Sequence, residues 1–125
     1  MIYDKNNIFA KILRGEIPCK KIYEDEYVLA FYDINPQKKV HALVISKGEY
    51  VDLDDFSLKA SVEEISGLVK GISIVAKKLG VSEEVKGGGY RSLVNVGENA
   101  VKKFFICIFI FLVVKKLVGW FRRFI

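Results

Sequence analysis

The chain has 125 residues, of which 51% are hydrophobic and 28% are charged. This length suits one domain, and the composition excludes a wholly disordered chain because enough apolar surface is available for a core. Two cysteines and one histidine exclude a disulfide scaffold and any chemistry that needs two imidazoles in one chain. The Cys/His spacing of a zinc site is also missing, so we expect neither a metal site nor a bound cofactor.

The net charge of +5 comes from the C-terminal end of the chain. Residues 101–125 contain six Lys or Arg and no acid, whereas residues 1–100 carry a net charge of −1. A nucleic-acid-binding protein would need basic residues spread over its surface, so we do not expect this partner. No apolar secretory segment follows Met1, and the longest uncharged run, 104–114, is shorter than the ~20 residues of a spanning helix. We therefore expect a cytoplasmic protein.

The first part of the chain predicts a short helix followed by three strands. Asn7 can cap a helix that ends at Gly15. The apolar face of this helix would consist of Ile8, Phe9, Ile12 and Leu13. Strand-like runs follow at 21–24, 27–34 and 40–46, and we expect them to form an antiparallel meander.

The clearest helix signal begins at Ser61, which has the spacing of a capping box with Glu64. Gly80 would end this helix, and Gly67 and Gly71 would permit the close approach of a partner backbone. Its predicted apolar face is Ile65, Leu68, Val69, Ile72, Val75, Ala76 and Leu79. A flexible glycine loop at 87–89 and strands at 90–96 and 104–114 would complete the fold. We predict an α+β fold, with one antiparallel sheet of about five strands, one short helix and one long helix.

Three polar positions could carry chemistry, and each also has an ordinary structural interpretation. Asp33 stands at a strand end and could accept two ribose hydroxyls, but Asp before Asn-Pro more often caps a turn. His41 lies in an apolar strand, where a histidine is more often a hydrogen-bonded core residue than a catalyst. Asn95 and the turn after it could face a phosphate or a sugar, or could form a plain loop.

The C-terminal segment mixes basic and aromatic residues around Trp120. Such a segment could touch an anionic membrane surface or a partner, which would make the protein a non-enzymatic binding module. The alternative is a terminus that packs its aromatic side chains and leaves its charges in water, and we favour this interpretation.

Two strings together resemble the histidine triad (HIT) family, in its branch of nucleoside phosphoramidases and related nucleotide hydrolases. NNIFAKILRGEIPCKKIYEDEYVLAFYDINPQKKVHALVISK, residues 6–47, resembles the opening of these proteins, and GYRSLVNVGENA, residues 89–100, resembles a later strand and loop. The resemblance implies a homodimer that binds purine nucleoside monophosphates. We therefore treat 1–125 as a single HIT-like domain, in which 6–100 is family-like, 101–114 is aberrant and 115–125 is a C-terminal tail.

The resemblance also implies the residues of a nucleotide pocket. Asp33 would hold the ribose hydroxyls and Asn95 would lie near the phosphate. The base and sugar would contact Ile8, Phe9, Ile12, Phe31 and Ile34. His41 matches a position that is common in the family but is not one of its catalytic histidines.

The catalytic motif of the family is missing from this chain. Relatives carry three alternating histidines, of which the middle one attacks the α-phosphorus and forms a nucleotidyl-imidazole that water then cleaves. The aligned positions hold Ile106, Ile108 and Ile110. Isoleucine can neither attack nor donate a proton, so we expect no catalytic residue and no hydrolysis in the chain as written.

A shifted reading frame would explain the loss. Permitted codons for residues 101–114, read after their first two bases, encode Gln-Glu-Val-Phe-His-Leu-His-Phe-His-Ile-Phe-Gly-Gly. This is the missing motif in order and at the expected place. A compensating shift near Lys115 and Lys116 would restore the frame, because the string KKLVGW again resembles family sequence.

Overall fold

The computed structural model describes residues 2–33, 41–97 and 109–113. Within these residues the secondary structure consists of three α-helices, five strands and a 3-10 turn at Glu83–Val85. The helices are α1 (Ile8–Leu13), α2 (Leu53–Lys59) and α3 (Val62–Lys78). The strands are β1 (Lys21–Glu24), β2 (Val28–Tyr32), β3 (His41–Ser46), β4 (Arg91–Leu93) and β5 (Phe109–Val113).

The described strands form one antiparallel sheet in the order β1-β2-β3-β5-β4. The predicted meander of the first three strands is confirmed. Val28 pairs with Ser46 and Tyr32 pairs with Ala42, which fixes the register of β2 on β3. The last described strand, β5, lies inside the sheet, so among the described strands β4 forms the edge opposite to β1.

Helix α1 begins where the sequence predicts. The Asn7 side chain accepts a hydrogen bond of 2.8 Å from the Ala10 backbone N–H, which satisfies one free donor of the first turn. The chain leaves the helix at Gly15, whose φ of +79° lies in the left-handed region that favours glycine.

Helix α3 carries the predicted capping box. The Glu64 backbone N–H donates to Ser61 Oγ, and the Ser61 N–H donates to a Glu64 carboxylate oxygen, each over 3.1 Å. The two helical glycines lie against side chains, and not against a partner backbone as predicted. A Cβ on Gly67 would lie 2.4 Å from the Tyr27 ring, and one on Gly71 would lie 2.8 Å from Val28.

Two apolar clusters cover the two faces of the sheet, one on each face. On the face that α3 covers, Val28, Ala30, Ala42 and Val44 pack with Leu68, Val75 and Phe56 of the helices. On the opposite face, Leu29, Phe31, Leu43 and Ile45 pack beneath α1. The alternation of these residues along β2 and β3 is the two-residue period of a strand buried on both sides.

Several predicted elements differ from the structure. Helix α2 was not predicted, since its short sequence carries an Asp52 cap but no clear apolar period. In α3, Ile65 and Val69 are 37% and 63% exposed instead of belonging to the core. Strand β4 is limited to Arg91–Leu93, and β5 is described only over Phe109–Val113. Residues 34–40 and 98–108 lie outside the described part, as does 114–125.

The predicted flexible loop at 87–89 is tightly packed at its first residue. A Cβ on Gly87 would lie 2.2 Å from the Gly80 carbonyl oxygen, so only glycine fits against this turn.

Among the described residues, no helix is long and apolar enough to cross a membrane.

Candidate functional site

The α1 face of the sheet carries the candidate site. Four buried side chains of β2 and β3 form its floor: Leu29, Phe31, Leu43 and Ile45. Four partly buried side chains pack against this floor from α1 and the segment after it: Phe9, Ile12, Leu13 and Cys19. The arrangement is an apolar cluster with exposed edges, which suits contact with a flat, weakly polar group.

Local structure holds α1 against this floor. The Arg14 guanidinium donates to the Lys5 carbonyl oxygen over 2.7 Å, which joins the two ends of the helical segment. After Pro18 the chain runs extended, and the Tyr32 backbone N–H donates to the Lys20 carbonyl oxygen over 3.0 Å. This last bond fixes the segment containing Cys19 beside the end of β2.

The structure brings together three of the residues that the resemblance assigned to a pocket. Phe9, Ile12 and Phe31 belong to one cluster, and the rings of Phe9 and Phe31 are 6.5 Å apart between centroids. Ile8 is 45% exposed and does not belong to this cluster. Ile34 lies outside the described residues.

The two polar pocket candidates lie beyond strand ends. Asp33 directly follows β2 and is partly buried. Asn95 is also partly buried and lies two residues past β4, at the edge of the sheet. The sheet order separates β2 from β4 by β3 and β5, so any ligand that touches both residues must cross the central strands.

Five members of the cluster are not among the predicted site residues: Leu13, Cys19, Leu29, Leu43 and Ile45. Leu13 was placed on the apolar face of α1, and the alternation in β3 places Leu43 and Ile45 on one side of a strand. Only Cys19 lacked a signal, because it follows Pro18 in a segment without regular structure. Burial raises the pKa of the Cys19 thiol, an effect that nearby Lys21 opposes and Glu24 reinforces.

An ion-paired group lies on β1 close to the cluster. Glu24 accepts from Lys21 Nζ over 2.6 Å and from Lys47 Nζ over 2.7 Å. Hydrogen bonds from these two ammonium groups lower the pKa of Glu24 to about 2. The group stabilises the junction between β1 and the end of β3, and it offers no unpaired base for catalysis.

The motif positions are only partly described. Ile110 lies in β5, where the register pairs it with Val44, a residue of the cluster on the α3 face. The α1-face residues Leu43 and Ile45 pair instead with Phe111 and Phe109. Residues 106 and 108 lie outside the described part. Because a one-residue slip exchanges the two faces of a strand, the register of this apolar strand decides which row faces α1.

Within the described segments, no three His, Cys, Asp or Glu side chains come together as a metal site would require. The sole histidine, His41, begins β3 and pairs with Val113 in the backbone register.

Comparison with known proteins agrees with this architecture. The chain matches the HIT domain over residues 14–105, so the match stops just before the aligned motif position at residue 106. It is 57% identical to a HIT-like protein of Azospirillum brasilense over 78% of this chain and 77% of that protein. It is 41% identical to a HIT-like protein of Rickettsia prowazekii over 94% and 95% of the two chains.

A solved structure shares the fold. A HIT family hydrolase from Clostridium thermocellum superposes with a TM-score of 0.78 at 31% identity, over 93% of this chain and 96% of that one. The helices on one antiparallel sheet and the match over residues 14–105 together define an α+β protein of the HIT class. The chain belongs to the HIT family, and its fold is that of a HIT family hydrolase.

Proposed function

We propose that this protein binds purine nucleoside monophosphates on the α1 face of its sheet and, in the chain as written, does not hydrolyse them. The observation that carries this proposal is the joint packing of Phe9, Ile12 and Phe31 on that face. Asp33 follows Phe31 by two residues in the chain. An apolar cluster with a carboxylate at its border suits a nucleoside, whose base is flat and whose ribose presents two hydroxyl groups.

Each end of the ligand has a separate partner in this proposal. The purine contacts Phe9 and Ile12, and the Asp33 carboxylate accepts hydrogen bonds from the ribose hydroxyls. Asn95 then donates to the phosphate from the loop after β4. Charge-assisted hydrogen bonds such as those to Asp33 contribute about 1.5–3 kcal/mol each.

The reaction of active relatives would require a nucleophilic nitrogen at the middle motif position. Ile108 has no such atom, and Ile106 and Ile110 cannot orient or protonate a phosphate. His41 cannot replace three imidazoles. We therefore infer binding without turnover for this chain.

A shifted frame over residues 101–114 accounts for this combination of an intact pocket and a missing motif. The family match ends at residue 105, which supports a change of sequence character near that point. The unusual properties of the segment, eleven uncharged apolar residues without strand alternation, also fit a translation in the wrong frame. An in-frame chain would be an ordinary HIT hydrolase with the same pocket.

We also propose a homodimer that forms through α3 and the edge strand β4. Val62, Ile65 and Val69 form an exposed apolar stripe on α3, with 79%, 37% and 63% of their surfaces accessible. The opposite edge strand, β1, is protected by a bulge near Lys21 and by the ion pairs of Glu24. Apolar stripes and edge strands are common partner surfaces, and among the described strands β4 is such an edge.

The nucleotide proposal is tested by calorimetric titration with adenosine monophosphate and its 2′-deoxy analogue. The parent chain should bind the ribose form at least about tenfold more tightly, because the 2′-deoxy analogue lacks one hydroxyl for Asp33 and 1.4 kcal/mol corresponds to a factor of ten. Asp33→Asn should abolish this discrimination. Asp54→Asn removes an exposed carboxylate from α2 and is the matched control, which should leave both affinities unchanged. Equal affinity for the two ligands in the parent would refute the assigned role of Asp33.

The dimer proposal is tested by light scattering of Val69→Glu. A charge in the stripe should give a folded monomer, whereas Leu58→Glu, at an 81% exposed position of α2, should leave the mass unchanged. A parent chain that is already monomeric at high concentration would contradict the proposal.

A further inference from the structure

A concave surface lies on the α3 side of the sheet, opposite to the α1 cluster. It is a groove of about 430 Å³ between α3 and the turn that joins β1 to β2. Tyr27 lies along its floor against Gly67, and Ile74 and Val62 add apolar walls. On the helical wheel, Glu63, Gly67 and Ile74 lie on a different side of α3 from Ile65 and Val69 of the exposed stripe. The groove therefore adjoins the proposed dimer surface only at Val62, which borders both.

The groove carries an excess of negative charge. Asp25 and Glu63 line it together with one cation, Lys70, and Glu26 lies next to Asp25 in the turn. Burial raises the pKa of the Tyr27 hydroxyl, and the carboxylates of Glu26 and Glu63 raise it further. Asp25 is already bonded, because it accepts from the Tyr23 hydroxyl over 2.7 Å and from two backbone N–H groups. Glu26 and Glu63 form no ion pair with another described residue, so their charge is available to a ligand.

We propose that this groove holds the basic C-terminal segment of the same chain, residues 115–125. That segment contains four cations and no acid: Lys115, Lys116, Arg122 and Arg123. It also contains Trp120, Phe121 and Phe124, which can pack on Tyr27 and on the aliphatic walls. The body of the chain offers an acidic aromatic groove, and its C-terminal end offers the complementary chemistry.

The length of the segment is sufficient to reach the groove. Strand β5 ends at Val113, opposite His41, whereas the groove lies near Val28, opposite Ser46. This separation is five residues along the strands and two strands across, about 20 Å in the plane of the sheet. The seven residues from Val113 to Trp120 span at most about 25 Å, and the ten residues to Arg123 span about 35 Å. Trp120 and the two arginines can therefore arrive at the groove.

The experiment uses the fluorescence of Trp120 in the full-length chain, since the sequence contains a single tryptophan. The parent should show Trp120 protected from acrylamide quenching, and raised ionic strength should reduce that protection. Glu26→Lys and Glu63→Lys should each lower the docking equilibrium about two- to fivefold, with a larger loss in the double variant. Circular dichroism checks that each variant remains folded, which we expect because both positions are exposed.

The matched control is Glu83→Lys, which makes the same charge change beyond the far end of α3, at the exposed start of the 3-10 turn Glu83–Val85. In this variant, acrylamide should quench the fluorescence of Trp120 to the same extent as in the parent. The proposal is overturned if Trp120 is fully accessible in the parent, or if Glu63→Lys and Glu83→Lys give the same quenching. Protection that rises with protein concentration would also overturn it, because the segment would then occupy the groove of a second copy.

Discussion

The rings of Phe9 and Phe31 lie 6.5 Å apart between centroids and are tilted by 36°, which joins α1 to strand β2. Phe31 is a buried part of the sheet, whereas Phe9 is only partly buried, so part of its surface is accessible. A ring in this position can pack against the sheet on one side and contact a ligand on the other. This double role makes Phe9 the most informative side chain of the candidate pocket.

Phe9→Ala should weaken binding of adenosine monophosphate and cost little stability. An aromatic pair contributes about 0.5–1.5 kcal/mol beyond burial, and the partly buried ring also loses its packing on the cluster, so the free energy of unfolding in urea should fall by less than the ~3–5 kcal/mol of a fully buried Phe→Ala change. The calorimetric affinity should fall by a larger factor, because the truncated side chain no longer contacts the base. Phe9→Leu keeps most of the apolar volume, so its affinity and stability should lie between those of the parent and those of Phe9→Ala. An unchanged affinity in Phe9→Ala would place the ligand elsewhere.

Gly67→Ala should destabilise the protein, although alanine normally favours a helix. The new methyl group would lie within 2.4–2.7 Å of three Tyr27 carbon atoms, so the ring or the helix must move. Such overpacking costs about 1–3 kcal/mol, against a gain in helix propensity of about 1 kcal/mol. Combining it with Tyr27→Ala should remove the penalty in a double-mutant cycle measured by chemical denaturation. Strict additivity of the two changes would show that the Tyr27 ring does not limit this contact.

Cys19 should react slowly with alkylating reagents. Burial raises the pKa of its thiol, so at a given pH the thiolate fraction is lower than in a free thiol. The alkylation rate should therefore rise over a pH range above that of glutathione, and at neutral pH it should be lower than the rate of glutathione. Peptide mass spectrometry separates Cys19 from Cys107. Bound adenosine monophosphate should slow the reaction further, whereas a rate equal to that of glutathione would mean that the cluster is open at Cys19.

Glu24→Gln should change the acid dependence of stability. The folded-state pKa of Glu24 is about 2, below the ordinary value of ~4.3 in an unfolded chain. Its contribution to stability is thus complete above about pH 4.5 and is lost as the pH falls toward 2. In thermal melts, the variant should lose stability at neutral pH and show a shallower decline over that range. Glu49→Gln, at an exposed position without an ion pair among the described residues, should follow the parent curve.

Much of the fold follows from local sequence rules. Asn7, Ser61 and Glu64 specify the starts of α1 and α3 because their side chains satisfy backbone donors within one helical turn. The period of the apolar residues also predicts the first three strands. Ile65 and Val69 were assigned to the core because the helical period cannot distinguish a face that packs on the sheet from a stripe that faces a partner.

The candidate site was less accessible to sequence reasoning. The family resemblance supplied Phe9, Ile12 and Phe31, and the structure places them in one cluster. Cys19 joins this cluster only through the path of the chain after Pro18, which no periodic pattern encodes. The groove beside Tyr27 likewise depends on a contact between a turn and a helix about 40 residues apart in the chain.

The register of β5 could not be predicted for a physical reason. A strand that is apolar at every position has no alternation to select one face, so both registers bury similar side chains. In the structure, Ile110 pairs with Val44, whose side chain belongs to the α3 cluster. Alternating histidines would remove this ambiguity, since one row would then be polar.

The most direct test of the account is the nucleotide sequence of the gene across the codons for residues 95–116. A shifted frame encodes the three histidines only if the codons for Phe105, Cys107 and Phe109 all end in C, so that each forms CAT with the following isoleucine codon. We predict C at all three positions, and a base inserted or lost on each side of this segment. A T at any of them would encode tyrosine in the shifted frame and would contradict the account, leaving a HIT-family chain that lost its motif by substitution.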